Sequence, residues 1–453
     1  MQEYVKELSK IIIPVLMAVH TFCGFLGLSE RIEKSGVIHV IQNLLLFSIQ
    51  FLMFINLALV TKDMQYIFFY LFVQAFLLAA AVMVPIVYEK INRLLLDNMC
   101  MLLGTGMCII SRLSFKKAVK QYIIVLISLA VALFIPWILS RIRFLKKLTW
   151  VYAGTGIAML SAVLILGEVT HGSKLSFSLW GVSFQPSEFV KIIFVFFLAG
   201  ALWENTSFVR VALTALLAGI HVVVLVVSKD LGSALIFFIA YVFVVFAATR
   251  NYLYLLAGAV GGSGAAWGAY RLFAHVRDRV TAWQNPWTYI DSKGYAITQS
   301  LFAIGTGSWF GMGLSQGNPR AIPYVEADFV FSSVCEELGV IFGICIVLVT
   351  LSSFLEMLKI ASEIKDRFYQ LIVYGIGIMY IFQIFLTIGG GIKLIPLTGV
   401  TLPFISYGGS SVMTTMIMFF IIQGIYIRLQ QETRPKNAGK ARSMGAAGRD
   451  TEH

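Results

Sequence analysis

The chain has 453 residues, of which 58% are hydrophobic and only 13% are charged. Soluble domains carry roughly twice that charged fraction, so this composition excludes an ordinary soluble globular protein. The net charge of +12 is scattered over loops rather than grouped on one face, which argues against nucleic-acid binding and fits contact with anionic membrane lipids.

Apolar runs of about twenty residues recur along the chain, which predicts an all-α polytopic membrane protein. Thirteen candidate spans cover residues 11–29, 37–60, 66–87, 94–111, 121–140, 149–167, 187–203, 211–227, 232–248, 252–270, 329–352, 371–391 and 410–427. A large polar loop, residues 271–328, precedes the eleventh span, and the glycine-broken stretch 301–314 within it suggests a re-entrant or surface helix. The tail 431–453 is polar and basic without periodicity, so we predict that it is disordered.

The Lys and Arg residues of the connections predict the orientation. Placing the C-terminus in the cytoplasm brings the basic tail together with Arg141, Lys146 and Lys365 to the inner side. The loop 271–328 then faces outward. The basic loop 112–120 also falls on the outer side, so the charge bias is real but modest.

The pair Glu188 and Lys191 follows the polar stretch before the seventh span. Residues three apart share a helix face, so these two side chains can form an intrahelical ion pair or line a cavity. Asp230 follows at a tight hairpin. It can bond backbone donors at the start of the next helix, or supply a metal ligand together with Asp328.

The outer loop combines arginine, tryptophan and amide side chains, represented by Arg277, Arg279, Trp283, Trp287 and Gln299. Arginine chelates a pyrophosphate with two parallel hydrogen bonds, and tryptophan stacks on a sugar face. These residue types therefore suit a phosphorylated sugar substrate. The alternative is an interfacial aromatic belt with arginines that reach toward the head groups.

Asp328 stands where the outer loop meets the membrane. Partial desolvation there raises the pKa of a carboxylate toward that of a useful general base, while a helix N-terminus opposes that shift. The alternative is a structural N-cap. Glu336 and Glu337 follow inside the apolar helix, about 100° apart on its surface, so pairing is as good an explanation as chemistry for either acid. Glu326 precedes them as a further supporting acid.

Residues 396–411 contain two prolines and three glycines between two apolar spans. Such backbone does not continue a helix and must line a protein-walled cavity at membrane depth. It supplies Ser406, Tyr407 and Ser410 as candidate substrate-binding residues.

This run resembles the signature of the SEDS family, the cell-wall polymerases of the RodA, FtsW and SpoVE type. It reads Pro-Leu-Thr-Gly-Val-Thr-Leu-Pro-Phe-Ile-Ser-Tyr-Gly-Gly-Ser-Ser. Residues 184–191, 328–331 and 336–339 carry further parts of the resemblance. It covers residues 94–430 and implies a ten-helix core. Residues 1–93 lie outside it and look like three added transmembrane helices.

The resemblance implies a peptidoglycan glycosyltransferase in the bacterial cytoplasmic membrane, acting on lipid II at the outer face. It implies Asp328 as general base for an inverting transfer, with Arg277, Arg279 and Lys191 as candidates to stabilise the pyrophosphate. A divalent cation, Mg²⁺ or Mn²⁺, and a class B penicillin-binding transpeptidase are the expected cofactor and partner.

Two departures from the family pattern keep other interpretations open. Glu326 and Ala327 stand where the family has His-Thr, and Lys229 stands where it has a proline. A lipid II flippase, or a catalytically weakened scaffold for a penicillin-binding protein, are the alternatives. Elongation, division and sporulation roles are not distinguished.

Overall fold

The computed structural model describes residues 2–29, 36–142, 144–166, 168–170, 173–179 and 182–447. The helices are α1 Gln2–Gly27, α2 Val37–Thr61, α3 Gln65–Val87, α4 Arg93–Leu113, α5 Phe115–Arg141, α6 Thr149–Leu166, α7 Pro186–Leu202, α8 Phe208–Val227, α9 Leu231–Thr249, α10 Tyr252–Leu272, α11 Ala274–Gln284, α12 Tyr295–Gly307, α13 Val330–Glu363, α14 Arg367–Gly391 and α15 Gly409–Ala447. Short 3₁₀ turns cover Leu145–Lys147 and Pro319–Ala321.

A small antiparallel sheet connects α6 to α7. Its strands are β1 Glu168–Thr170, β2 Ser173–Leu179 and β3 Val182–Phe184, in the order β1-β2-β3. The all-α architecture predicted from the apolar runs is confirmed, with this hairpin-like sheet as a minor addition. The sheet leads directly into Pro186, whose fixed φ suits the first position of α7.

Each of the thirteen predicted spans corresponds to a helix, and eleven of the described helices are long and apolar enough to cross a membrane. The two others are α7 and α10. Helix α7 has 17 residues, about 26 Å at 1.5 Å per residue, which is short for a hydrocarbon core of about 30 Å. Helix α10 contains five glycines, which lower its hydropathy. Length and composition therefore support eleven of the thirteen predicted spans.

Helices α1, α2 and α3 pack around α4, the first helix of the predicted ten-helix core. Helix α1 contacts α2, α4 and α13, and both α2 and α3 contact α4. The most apolar window of α4 is completely buried, whereas those of α1, α2 and α3 are 33–44% buried. The N-terminal helices thus lie directly on the core and cover α4.

Helix α13 is broken at Gly339, where φ is 88° and ψ is 163°. A segment from the outer loop, residues 308–313, fills the break with backbone hydrogen bonds. The N–H groups of Met312 and Gly313 donate to the carbonyls of residues 336–337 at 2.8 and 3.0 Å. The N–H groups of residues 340–341 donate to Ser308 and Trp309 at 2.9 and 3.2 Å. The outer loop therefore enters the bundle, as its glycines suggested.

Helix α15 continues to Ala447, well past the predicted end of the last span. Much of the tail that we predicted to be disordered is therefore helical in the structure. Ala, Arg and Lys in this segment have good helix propensity, so the polarity of the segment does not prevent a helix. Residues 448–453 lie outside the described part of the chain.

Candidate active site

The connection between α14 and α15, residues 392–408, is irregular as predicted, and its backbone is held by side chains of α11. Trp283 Nε1 donates to Lys393 O at 3.1 Å. Arg279 Nη1 donates to the carbonyls of residues 397–398 at 3.2 and 3.0 Å. Irregular backbone at membrane depth needs such partners, so α11 shapes this end of the bundle.

Asp328 lies in the turn before α13 and is half-buried. Its backbone N–H donates to Tyr324 O at 3.0 Å, and the N-cap residue of α13 is Phe329, so Asp328 is not the cap. A Cβ placed on Gly399 would lie 3.9 Å from Asp328 Oδ2 and 3.7 Å from Arg279 Nη2. The carboxylate and the guanidinium therefore both lie within van der Waals reach of the Cβ position of this glycine.

Gly399 has a φ of +74°, in the left-handed region that favours glycine. Because it has no side chain, no Cβ lies beside the Asp328 carboxylate and the Arg279 guanidinium. In the sequence this glycine is one of several residues that interrupt a helix. In the structure it lies beside two candidate functional groups.

Burial lowers the pKa of Arg279 from its ordinary value, and the carboxylates of Asp328 and Asp230 act in the opposite direction. An arginine remains charged at neutral pH after such a shift. The structure thus brings two predicted site residues, the cation Arg279 and the acid Asp328, next to the same backbone position. A half-buried guanidinium in this position is suited to an anionic phosphate group.

Asp230 caps helix α9, because its Oδ1 accepts from Ser233 N at 3.1 Å. Its Oδ2 accepts from Gln185 Nε2 at 3.2 Å and from Ser187 Oγ at 3.1 Å. The carboxylate is thus bonded by three donors, and no group of three metal-ligating side chains occurs among the described residues. Asp230 and Asp328 do not fit a metal site formed by the protein alone.

Glu188 and Lys191 form the ion pair that their spacing predicted, with 2.8 Å between Oε2 and Nζ. Lys191 also donates to Gln383 Oε1 at 2.7 Å, and Gln383 Nε2 donates to Thr401 O at 2.9 Å. The lysine is only 1% exposed. It therefore links α7, α14 and the connection 392–408 in one buried polar chain.

Glu326 pairs with Lys117 of α5, and the Lys117 ammonium lies 5.6 Å from the centre of the Tyr407 ring. The carbonyl of Glu326 accepts from Tyr407 N at 2.7 Å, and Ser406 Oγ donates to Ala327 O. The unusual Glu326-Ala327 pair therefore fastens the turn that carries Asp328 to the connection 392–408. Glu326 acts here as a structural partner of a cation.

Ser410, predicted to bind substrate, lies at the start of α15. Its Oγ accepts from the backbone N–H of Gln185 at 3.0 Å. Lys229, the other departure from the family pattern, has a φ of +64°. Proline is restricted to a φ of about −65°, so the hairpin conformation seen here excludes the residue it replaces.

Arg277 and Trp287 do not join this cluster. Arg277 is exposed and donates to Arg271 O at 2.8 Å. It lies two residues from Arg279 on α11, and residues at that spacing face different directions. Trp287 is 52% exposed and packs against Phe302, with 5.6 Å between the ring centres.

Glu336 and Glu337 are paired inside the bundle. Glu337 forms an ion pair with Arg112 of α4 at 3.0 Å, and Glu336 accepts from Asn318 N at 2.7 Å. Of the two explanations left open, structural pairing describes the observed contacts. Gln299 is half-buried on α12.

Sequence reasoning missed three residues that organise the site. Gln383 bonds Lys191, Lys117 bonds Glu326, and Gln121 bonds both Ser406 O at 3.0 Å and the N–H of Gly408 at 3.1 Å. Gln121 and Gln383 are amides within apolar helices. Polar groups at such positions need a partner, and that cost was the signal available in the sequence.

A model of the cell cycle protein family that comprises FtsW, RodA and SpoVE matches residues 93–431. Peptidoglycan glycosyltransferase RodA of Mycobacterium leprae (strain TN) is 32% identical over 372 residues, which cover 76% of this chain and 80% of that protein. A probable peptidoglycan glycosyltransferase FtsW of Shewanella sediminis (strain HAW-EB3) is 34% identical over 293 residues, covering 61% and 69% of the two chains.

Solved structures share the fold. A chain described under "Structural coordination of polymerization and crosslinking by a peptidoglycan synthase complex" aligns with a TM-score of 0.63 at 25% identity, covering 74% of this chain and 97% of that one. Rod shape determining protein RodA of Thermus thermophilus aligns with a TM-score of 0.56 at 23% identity, covering 74% and 96%. Because the family model matches most of its length, this multi-pass membrane protein belongs to the FtsW, RodA and SpoVE family.

Proposed function

We propose that this protein is a peptidoglycan glycosyltransferase that polymerises lipid II at the outer face of the bacterial cytoplasmic membrane. Family membership and the names of its relatives support the reaction class. The observation that carries the proposal is the placement of the Asp328 carboxylate and the Arg279 guanidinium beside the same glycine, Gly399. A base and an anion-binding group are thereby available at one point of the bundle.

In the proposed reaction, the oxygen of the acceptor 4-hydroxyl attacks the anomeric carbon of the growing chain. Asp328 removes the proton of that hydroxyl in the same step. The new glycosidic bond forms while the bond to undecaprenyl pyrophosphate breaks, and the pyrophosphate leaves with the electron pair. One displacement inverts an α-linked donor into a β-linked product. Arg279 stabilises the charge that develops on the leaving group.

The other two candidate cations are less well placed for that role. Arg277 is exposed on another side of α11, and Lys191 is buried against Glu188 and Gln383. We infer that Lys191 maintains the shape of the polar end of the bundle. The hydrogen bonds of Trp283 and Ser406 to backbone carbonyls give these two residues a similar supporting role.

A divalent cation, Mg²⁺ or Mn²⁺, stays a prediction. Mg²⁺ is usually bound by one or two carboxylates together with substrate phosphates, so the substrate pyrophosphate would supply most of its ligands. The proposed proton transfer and displacement do not depend on it. Chelation with EDTA in the polymerisation assay described below tests this requirement.

We propose a class B penicillin-binding transpeptidase as the partner, with the site outward and the C-terminus in the cytoplasm. The similarity to a chain from a complex that coordinates polymerization and crosslinking supports the partner. The Lys and Arg distribution supports the orientation.

The decisive experiment is polymerisation of labelled lipid II by the purified protein, with and without its transpeptidase, read on a glycan gel. General acid–base catalysis contributes typically 10²–10⁴-fold, so Asp328→Asn is expected to lower the rate by at least about 100-fold. Asp291→Asn serves as the matched control, because Asp291 is an exposed acid in the same outer loop.

Glycan ladders from wild type and Asp291→Asn, but not from Asp328→Asn, would establish a polymerase that depends on Asp328. Ladders of equal intensity from all three would refute the assignment of the base. If wild type binds lipid II and forms no ladder with its transpeptidase present, the flippase or scaffold interpretation replaces the enzyme.

A further inference from the structure

A buried polar seam joins the N-terminal helices to the family core, far along the chain from the candidate active site. His39 of α2 and Asp97 of α4 form a hydrogen-bonded pair with 2.7 Å between Nδ1 and Oδ2, and Asn43 Nδ2 donates to Asp97 Oδ1 at 3.3 Å. Both members of the pair are almost completely buried. Asp97 lies in the matched family region, whereas its partners come from α2, which precedes that region.

The same seam contains polar atoms that the described residues leave without a hydrogen-bond partner. These atoms are Nε2 and Oε1 of Gln42 and Oδ1 of Asn98. The side chains of Gln42 and Asn98 are both 0% exposed. Gln42 lies one helical turn after His39, and Asn98 directly follows Asp97. A buried polar atom without a partner is unfavourable, particularly within a membrane.

These groups converge beside Gly24 of α1. A Cβ built on Gly24 would lie 3.5 Å from Gln42 Nε2, 3.6 Å from Asn98 Oδ1 and 3.6 Å from Ser352 Oγ. The glycine therefore leaves a space of about one heavy atom, surrounded by one donor and two acceptors. The hydroxyl of Ser352 donates to Gly24 O at 3.4 Å and accepts from Asn98 Nδ2 at 3.4 Å, so one oxygen lone pair remains to face this space.

We propose that this space is a binding site for one water molecule. The water accepts from Gln42 Nε2 and donates to Asn98 Oδ1 and Ser352 Oγ, which gives three hydrogen bonds, the usual number for a buried water. A monovalent cation fits less well, because the group nearest to the Gly24 position is an N–H donor and hard cations take oxygen ligands.

The site is formed by four helices, since Gly24 belongs to α1, Gln42 to α2, Asn98 to α4 and Ser352 to α13. Two of them precede the family region and two are inside it. A water bonded across that boundary, next to the hydrogen-bonded pair of His39 and Asp97, makes the N-terminal helices an integral part of the folded protein. Their role then includes completing the polar face of α4.

Thermal unfolding of the full-length protein in detergent tests the proposal through Gly24→Ala. The added methyl group makes only ordinary van der Waals contacts of 3.5–3.6 Å, so it displaces a water without a steric clash. We expect the Tm to fall by about 1–3 °C, because at this chain length the Tm shifts by about 1 °C per kcal/mol. In a dry seam the same change fills space and improves helix propensity, so the Tm would stay constant or rise.

Gly219→Ala is the matched control, because the Cβ position at Gly219 in α8 has no atom within 4 Å and reports helix propensity alone. Gln42→Met tests the proposal independently. If the seam holds a water, this variant removes one partner of the water, so Gly24→Ala lowers the Tm less in the Gln42→Met background than in wild type. In a dry seam it removes two unpartnered atoms and raises the Tm.

A fall for Gly24→Ala, none for Gly219→Ala and non-additivity with Gln42→Met would support the water site. An unchanged or raised Tm for both Gly24→Ala and Gln42→Met would overturn it. If replacing choline by Na⁺ raises the wild-type Tm and Gly24→Ala abolishes that rise, a cation occupies the space and the assignment to water is wrong. If Gly24→Ala does not fold, the Tm of Gln42→Met decides.

Discussion

At the scale of single residues, the candidate site depends on partners that are distant in sequence. Asp328 belongs to the turn before α13 and Arg279 to α11, and they meet around Gly399. Arg277 has the same residue type and nearly the same position in sequence as Arg279. It nevertheless faces elsewhere, because two residues along a helix correspond to a rotation of about 200°.

Arg279→Lys tests whether the planar guanidinium is required. Lysine keeps the charge but has no fork of donors, so it cannot maintain both carbonyl bonds to residues 397–398 while facing Asp328. Hydrogen bonds of charged groups contribute about 1.5–3 kcal/mol, so we expect lipid II polymerisation to slow by about 10- to 100-fold. Arg277→Lys should remain close to wild type, and equal losses in both variants would contradict the distinction.

At the scale of elements, the break in α13 shows how the outer loop becomes part of the bundle. Residues 308–313 supply backbone partners on both sides of Gly339. All four hydrogen bonds are possible because Gly339 adopts a φ of 88°. The following residues can therefore resume a helix while the loop stays inserted, near the ion pair of Glu337 and Arg112.

Gly339→Ala should destabilise the protein strongly. A Cβ at this position would lie 2.3 Å from Trp309 O, and the left-handed φ is itself unfavourable for alanine. Strain of this kind costs about 1–3 kcal/mol before any clash is counted, so the Tm in detergent should fall by at least several degrees. Gly268→Ala in α10, where nothing lies within 4 Å, is the control. Equal stability of the two variants would show that the inserted loop is dispensable.

At the scale of the whole molecule, the N-terminal helices and the family core share one interior. Helix α4 is completely buried between them, and it carries Asp97. An acid on the first core helix would be costly next to lipid. Because α4 is enclosed, Asp97 avoids lipid and bonds His39 of α2 instead.

Removing one partner of a buried hydrogen bond leaves the other group without a partner, which costs about 1–3 kcal/mol. We therefore expect His39→Ala to lower the Tm. The double variant His39→Phe with Asp97→Leu replaces both polar side chains by apolar groups and should recover most of that loss. A single variant as stable as wild type would contradict the proposed importance of the pair. Thermal unfolding, monitored by size-exclusion chromatography, measures the Tm of wild type, the single variant and the double variant.

The sequence by itself determined the membrane class, the position of nearly every helix and the family, because these depend on apolar runs and contiguous motifs. It also predicted the pair Glu188 and Lys191, whose contact is local. The tertiary structure alone decided that Arg279, not Arg277, meets Asp328, that Glu326 pairs with Lys117, and that α4 is enclosed. Those contacts join residues far apart in the chain, and only the packing of helices brings them within hydrogen-bonding or electrostatic reach.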